Sequence, residues 1–164
     1  MFPQPVRLYS LAGLFILLSG VSSSKDVREI YAESKGSVVL IIAYDENRIP
    51  LSMGTGFYYR KNAVLTNYHV VESGSSFLLK FIASDKTFSA TKLTHFSKSL
   101  DLAILHVEEQ GTPLAIETGH TPEIGEKVVV IGNPSGLEGS VSEGIISGLR
   151  PVGDFTVIQI TAPI

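Results

Sequence analysis

Between residues 37 and 107 the chain breaks into six short β-prone runs, each closed off by turn chemistry. That rhythm restricts the fold to a small antiparallel barrel or sandwich. The runs cover 37–44, 51–60, 63–67, 76–82, 87–96 and 102–107. Asp45-Glu46-Asn47, Lys61-Asn62, Glu72-Ser73-Gly74 and Ser84-Asp85-Lys86 punctuate them. Residues 25–110 therefore read as one β domain. Residues 111–126, with Gly111, Pro113, Gly119, Pro122 and Gly125, read as a linker. Runs at 127–131, 140–149 and 155–161 open a second β block over 127–164, whose last strand is expected to present an open edge. Ahead of the first block, Val27, Ile30 and Tyr31 form one apolar stripe. They predict a short helix capped by Asp26, stopped at Gly36 and packed as a lid on a barrel end.

Hydrophobic content of 44% and charged content of 18% describe a globular chain rather than a disordered one. The net charge of −3 gives no reason to expect nucleic acid or an anionic membrane surface as partner. With no cysteine, disulfide scaffolds and thiolate metal sites are excluded.

Three stretches carry residues that could do chemistry. Gly54-Thr55-Gly56-Phe57 places two glycines in a β-prone run. Leu65-Thr66-Asn67-Tyr68-His69-Val70-Val71 is an apolar run broken by one imidazole, at the end of a predicted strand. Ser99-Leu100-Asp101-Leu102-Ala103-Ile104-Leu105 is an aliphatic run carrying one carboxylate. Strand alternation would put Asp101 on one face with Ala103, Leu105 and Val107, where a buried carboxylate needs hydrogen-bond donors. The alternative is a place ahead of the strand, bonding backbone amides in a turn. His69 alone reads either as a core residue or as a side chain presented to a cleft. His95, His106 and His120 lack the spacing of a zinc site, so no metal is expected, and His106 is expected to face solvent.

Taken together, G-T-G-F, L-T-N-Y-H-V-V and D-L-A-I-L resemble the first half of a trypsin-like serine protease, most closely the HtrA/Deg type. Residues 128–134, 143–148 and 159–164 resemble the opening strands of that family's second barrel. The resemblance implies an all-β, trypsin/chymotrypsin-like double β-barrel with a short N-terminal helix, its first barrel complete and its second partial. It implies a serine endopeptidase that cleaves unfolded or misfolded proteins by acyl transfer. His69 would be the general base and acid, and Asp101 would orient it. The family's nucleophile stands in a G-x-S-G-G setting, which the 164 residues do not contain. The chain alone is therefore expected to be inactive. The alternatives are a cysteine nucleophile on the same fold and a non-catalytic binding module. No cofactor, metal or nucleic acid is expected, and the resemblance implies polypeptide substrates and a homo-oligomer in the full-length form.

Residues 1–24 hold one charged side chain, Arg7, then an apolar run over 8–21 and three serines, Ser22 to Ser24. The run is shorter than the about 20 residues a membrane helix needs. A basic start, short apolar core and small-residue exit read as a secretory signal peptide, or else as an N-terminal anchor. The protein is accordingly expected to be exported, to a bacterial periplasm or the extracellular space. N-terminal sequencing of protein from the envelope fraction should find a start between Ser23 and Lys25; an intact Met1 would indicate an anchor instead.

Overall fold

The computed structural model describes residues 6–7, 16–19, 25–133, 139–153 and 155–163. Its elements in chain order are β1 (Val6–Arg7), β2 (Ile16–Ser19), α1 (Val27–Ser34), β3 (Val38–Tyr44), β4 (Pro50–Arg60), β5 (Ala63–Thr66), α2 (Tyr68–Val71), β6 (Ser76–Phe81), β7 (Thr87–Ser97), β8 (Leu102–Val107), β9 (Lys127–Gly132), β10 (Ser140–Val152) and β11 (Phe155–Ile160). The expected leader falls mostly outside the described residues. The parts that are described, β1 and β2, are strands. No helix among the described residues is long and apolar enough to cross a membrane.

Six antiparallel strands close into a barrel in the order β3-β4-β5-β8-β7-β6, with β6 returning to β3. Alternation sets the inside. In β8, Ala103, Leu105 and Val107 are buried, while Leu102, Ile104 and His106 are only partly covered. Val39, Ile41, Tyr58, Val64 and Leu79 meet them in one core. Each large aliphatic side chain fully buried there contributes about 1.5–3 kcal/mol relative to exposure. The β3–β4 turn is fixed by Asp45, whose Oδ1 accepts from Asn47 N at 2.9 Å and Ile49 N at 2.7 Å. Arg48 there takes a positive φ of 62°.

Residues 111–126 form no strand or helix. The start of this stretch and the residues just before it are held to the barrel. Tyr58 Oη donates to Glu109 O at 2.9 Å, Gly111 N donates to Lys61 O, and Leu114 N donates to Tyr58 O. A Cβ at Gly111 would lie 2.4 Å from the Tyr58 ring, so only glycine lets the chain pass that closely. Burial, with the Glu109 carboxylate nearby, holds the Tyr58 phenol neutral well beyond the ordinary tyrosine range.

The second unit is a five-stranded sheet ordered β1-β11-β10-β9-β2. The outer edge of β11, expected to be open, carries β1 in parallel register, Val6 opposite Thr156 and Arg7 opposite Val157. β2 runs antiparallel along β9, Ile16 opposite Ile131. Helix α1 has the expected start. Asp26 accepts from Arg28 N, and Glu29 reaches back to Asp26 N in a capping box. Its place differs from the lid predicted. Val27, Ile30 and Tyr31 pack on Val38 of β3 and on Val129 and Ile131 of β9, so the helix fills the seam between the two sheets. The stripe reads as apolar either way; only the tertiary partner is invisible in it.

The glycines of β4 make a further joint. A Cβ at Gly54 would stand 2.5 Å from Val70 Cγ2, and one at Gly56 2.6 Å from Ile41 Cδ1. The strand is kept bare where α2 lies on it. Gly54→Ala should therefore lower stability by about 1–3 kcal/mol through overpacking. Urea unfolding should show it as a lower midpoint with an unchanged slope.

Candidate active site

The strand expected over 63–67 is present as β5, and the β-prone residues after it leave the sheet. The sheet is left after Thr66, which still pairs with Gly56 and Ala103. Asn67 is extended (φ −73°, ψ 146°), and Tyr68–Val71 then make one helical turn. Val70 and Val71 are neighbours in sequence and both 1% exposed. A strand would send them to opposite faces; a helical turn against bare Gly54 buries both. Ser52 Oγ donates to Val70 O and fastens the turn to β4. His69 is carried on the outer side of this turn, with its side chain 43% exposed.

Asp101 takes the second of its two sequence readings. It does not lie in β8 but in the turn ahead of it, its N–H donating to Lys98 O at 3.2 Å and its φ at +50°. This left-handed backbone is uncommon outside glycine, though aspartate tolerates it better than most residues. Every oxygen of the residue is engaged. Its carbonyl accepts from Tyr68 N at 3.1 Å and Asn67 Nδ2 at 3.0 Å. Its Oδ1 accepts from His69 N at 2.9 Å. Its Oδ2 accepts from His69 Nδ1 at 2.7 Å and Asn67 Nδ2 at 3.0 Å.

The two residues singled out from sequence are thus in direct contact. An ionised carboxylate only accepts, so His69 Nδ1 carries the proton, and in the neutral ring Nε2 is left as the base. The arrangement can take a proton at Nε2 and hold the resulting imidazolium against a fixed anion. Next to it lies a groove of about 510 Å³, lined in part by Tyr68, Glu72, Lys92 and Phe96. The Tyr68 and Phe96 rings stack at 4.9 Å, and Phe96 is 56% exposed.

The other histidines lie elsewhere. His120 Nε2 contacts both carboxylate oxygens of Glu126 at 2.9 Å. His106, expected to face solvent, is half-buried, its Nε2 3.8 Å from Glu108. Among the described residues no three potential ligands cluster as a metal would require. Asn67, which touches Asp101 twice, was not singled out from sequence. The available signal was an asparagine inside an apolar β-prone run, a residue type depleted in strands and favoured at helix starts.

The model of the trypsin-like peptidase domain matches residues 54–164. A probable periplasmic serine endoprotease, DegP-like, from Rhizobium meliloti is 35% identical over 119 residues, 67% of this chain and 23% of that protein. Protease Do-like 1, chloroplastic, from Arabidopsis thaliana is 33% identical over 134 residues, 74% of this chain and 30% of that protein. The anti-sigma-I factor RsgI9 of Acetivibrio thermocellus is 36% identical over 131 residues, 78% of this chain and 18% of that protein. The crystal structure of the serine endoprotease from Yersinia pestis superposes with a TM-score of 0.67 at 26% identity, covering 77% of this chain and 46% of that one. The chain spans less than a third of the length of these sequence relatives. With the match to its family model over 54–164, the chain belongs to the trypsin-like peptidase family, and its domain is of the HtrA/Deg type.

Proposed function

We propose that this domain serves a serine endopeptidase that cleaves unfolded polypeptides by acyl transfer, with His69 as general base and acid and Asp101 as its orienting carboxylate. The observation that carries the reading is the 2.7 Å contact between His69 Nδ1 and Asp101 Oδ2, with the same carboxylate gripping the His69 backbone. Nε2 takes the proton of a serine hydroxyl as its oxygen attacks the peptide carbonyl. Asp101 stays ionised and stabilises the imidazolium, which then protonates the leaving amine. The serine is one that the 164 residues do not supply in a G-x-S-G-G setting. The periplasmic description carried by the Rhizobium relative supports export, with residues 1–24 as leader, and a homo-oligomeric full-length protein belongs to the same reading.

A second reading, a protease fold kept as a binding module, has one observation on its side. The Acetivibrio relative is named for anti-sigma activity and not for proteolysis. Against it stands a fully hydrogen-bonded carboxylate and histidine pair, which a pure binding surface does not require.

The 164 residues alone should neither hydrolyse casein nor react with a fluorophosphonate. A chain extended through a G-x-S-G-G segment should do both; a G-x-C-G-G segment would instead mark a cysteine nucleophile. In the extended chain Asp101→Asn should lower kcat by about 10⁴, the loss triad hydrolases show when the imidazole is held in the wrong tautomer. His69→Ala should cost at least as much and the double variant little more, because the two act as a unit. Losses that simply add would refute one shared catalytic unit.

A further inference from the structure

We infer that Asn67 is a positioning residue for the His69–Asp101 pair, an inference that rests on the catalytic reading of that pair. The side chain is not a helix cap, although it stands at the cap position of α2; it makes no hydrogen bond to that helix. Its Nδ2 instead bridges the Asp101 carbonyl and the Asp101 Oδ2, each at 3.0 Å. One amide thus spans the main chain and side chain of the same residue. It closes a ring that fixes both the left-handed backbone of Asp101 and the rotation of its carboxylate.

The orientation of the amide is determined by chemistry. Turned over, Asn67 Oδ1 would face two acceptor oxygens with no hydrogen between them. In the orientation present, Oδ1 is buried and has no partner among the described residues. The residue is 5% exposed. A side chain that merely filled space would not leave a buried acceptor unmatched. What the position obtains is the Nδ2 contact.

The consequence is local to one atom. Asp101 Oδ2 receives two donors, Asn67 Nδ2 and His69 Nδ1, while Oδ1 is held by His69 N. Without the amide, Oδ2 is held by the ring alone, and of the three contacts that set the rotation of the carboxylate only the two from His69 itself remain. The half-exposed His69 ring would then exchange its Nδ1 proton with water instead of presenting Nε2 in a fixed direction. Asn67 does not touch the reacting atoms; it acts through Asp101.

Proton NMR of the full chain, labelled with ¹⁵N, tests this without any nucleophile. The His69 Nδ1 proton should appear as a resolved downfield signal protected from water, and the Asn67 side-chain amide protons should also resist exchange. Asn67→Ala should lose the His69 signal while the amide dispersion of the barrel is kept. Asn67→Asp has the same shape but sets a second carboxylate against Oδ2, and should lose the signal too. A folded Asn67→Ala or Asn67→Asp chain that retains the signal overturns the inference. So does rapid exchange of the Asn67 amide in the unsubstituted chain, a measurement that stands even where a variant does not fold. Asp101→Asn separates the two levels of argument. If it also retains the signal, the His69–Asp101 pairing itself is wrong. If it loses the signal while folded Asn67 variants keep it, only the positioning role is wrong.

Discussion

The carboxylate of Asp101 ties the turn before β8 to the start of α2, and the geometry of the site depends on that tie. Its two oxygens accept from the His69 backbone and the His69 ring. Several N–H groups donating to one carboxylate fix its orientation, and a carboxylate oxygen is what the ring N–H needs opposite it. The contact is possible because Asp101 departs from the strand pattern, with φ at +50°. Had it continued β8 backward, its side chain would share the core face of Ala103 and Leu105, which are fully buried. An ion there would have no water and few donors.

The other half of the geometry comes from β4. Thr55 sits between the two glycines and does a separate job. Its carbonyl accepts from Thr66 Oγ1 at 2.8 Å, where β5 ends and the chain turns toward His69. Its own Oγ1 accepts from Asn133 N at 3.0 Å, just past the end of β9. Gly54 clears space for α2 and Gly56 for Ile41 and Val64 of the barrel, and the threonine joins that region to the second sheet. The short G-T-G motif therefore holds three segments in register: the strand before the histidine, the histidine's own turn, and the first strand of the second unit.

Much of this was legible in sequence, for identifiable reasons. The strands of the first barrel were readable because turn residues bound each one and because burial follows period 2, as in β8. The start of α1 was readable because Asp26 precedes a stripe at helical spacing. The conformation at His69 was not readable. Tyr68, Val70 and Val71 are β-prone types, and what favours a helical turn there is the packing of Val70 on bare Gly54, a partner distant in sequence. Tertiary packing overrides local propensity there. The placement of α1 was hidden for the same reason: Val129 and Ile131 lie far along the chain. For Asp101, alternation and turn chemistry gave two readings, and only the left-handed backbone decides between them.

Asn67 shows why the site was only partly visible. A sequence reading looks for groups that titrate or attack, and an amide does neither. Its role is set by where its two hydrogens point, and that depends on the turn at Asp101 being folded already. The dependence is mutual. The left-handed turn brings the Asp101 carbonyl and Oδ2 to the same amide, and the amide holds both in place. Such a closed set depends on the pairing of β5 with β8, Thr66 opposite Ala103, because that pairing sets Asn67 beside the turn. The barrel is therefore the precondition of the pair, and the second sheet is tied to this region through the hydrogen bond between Thr55 and Asn133. In this arrangement the histidine and aspartate can be fully assembled by the first barrel, independently of where a nucleophile is supplied.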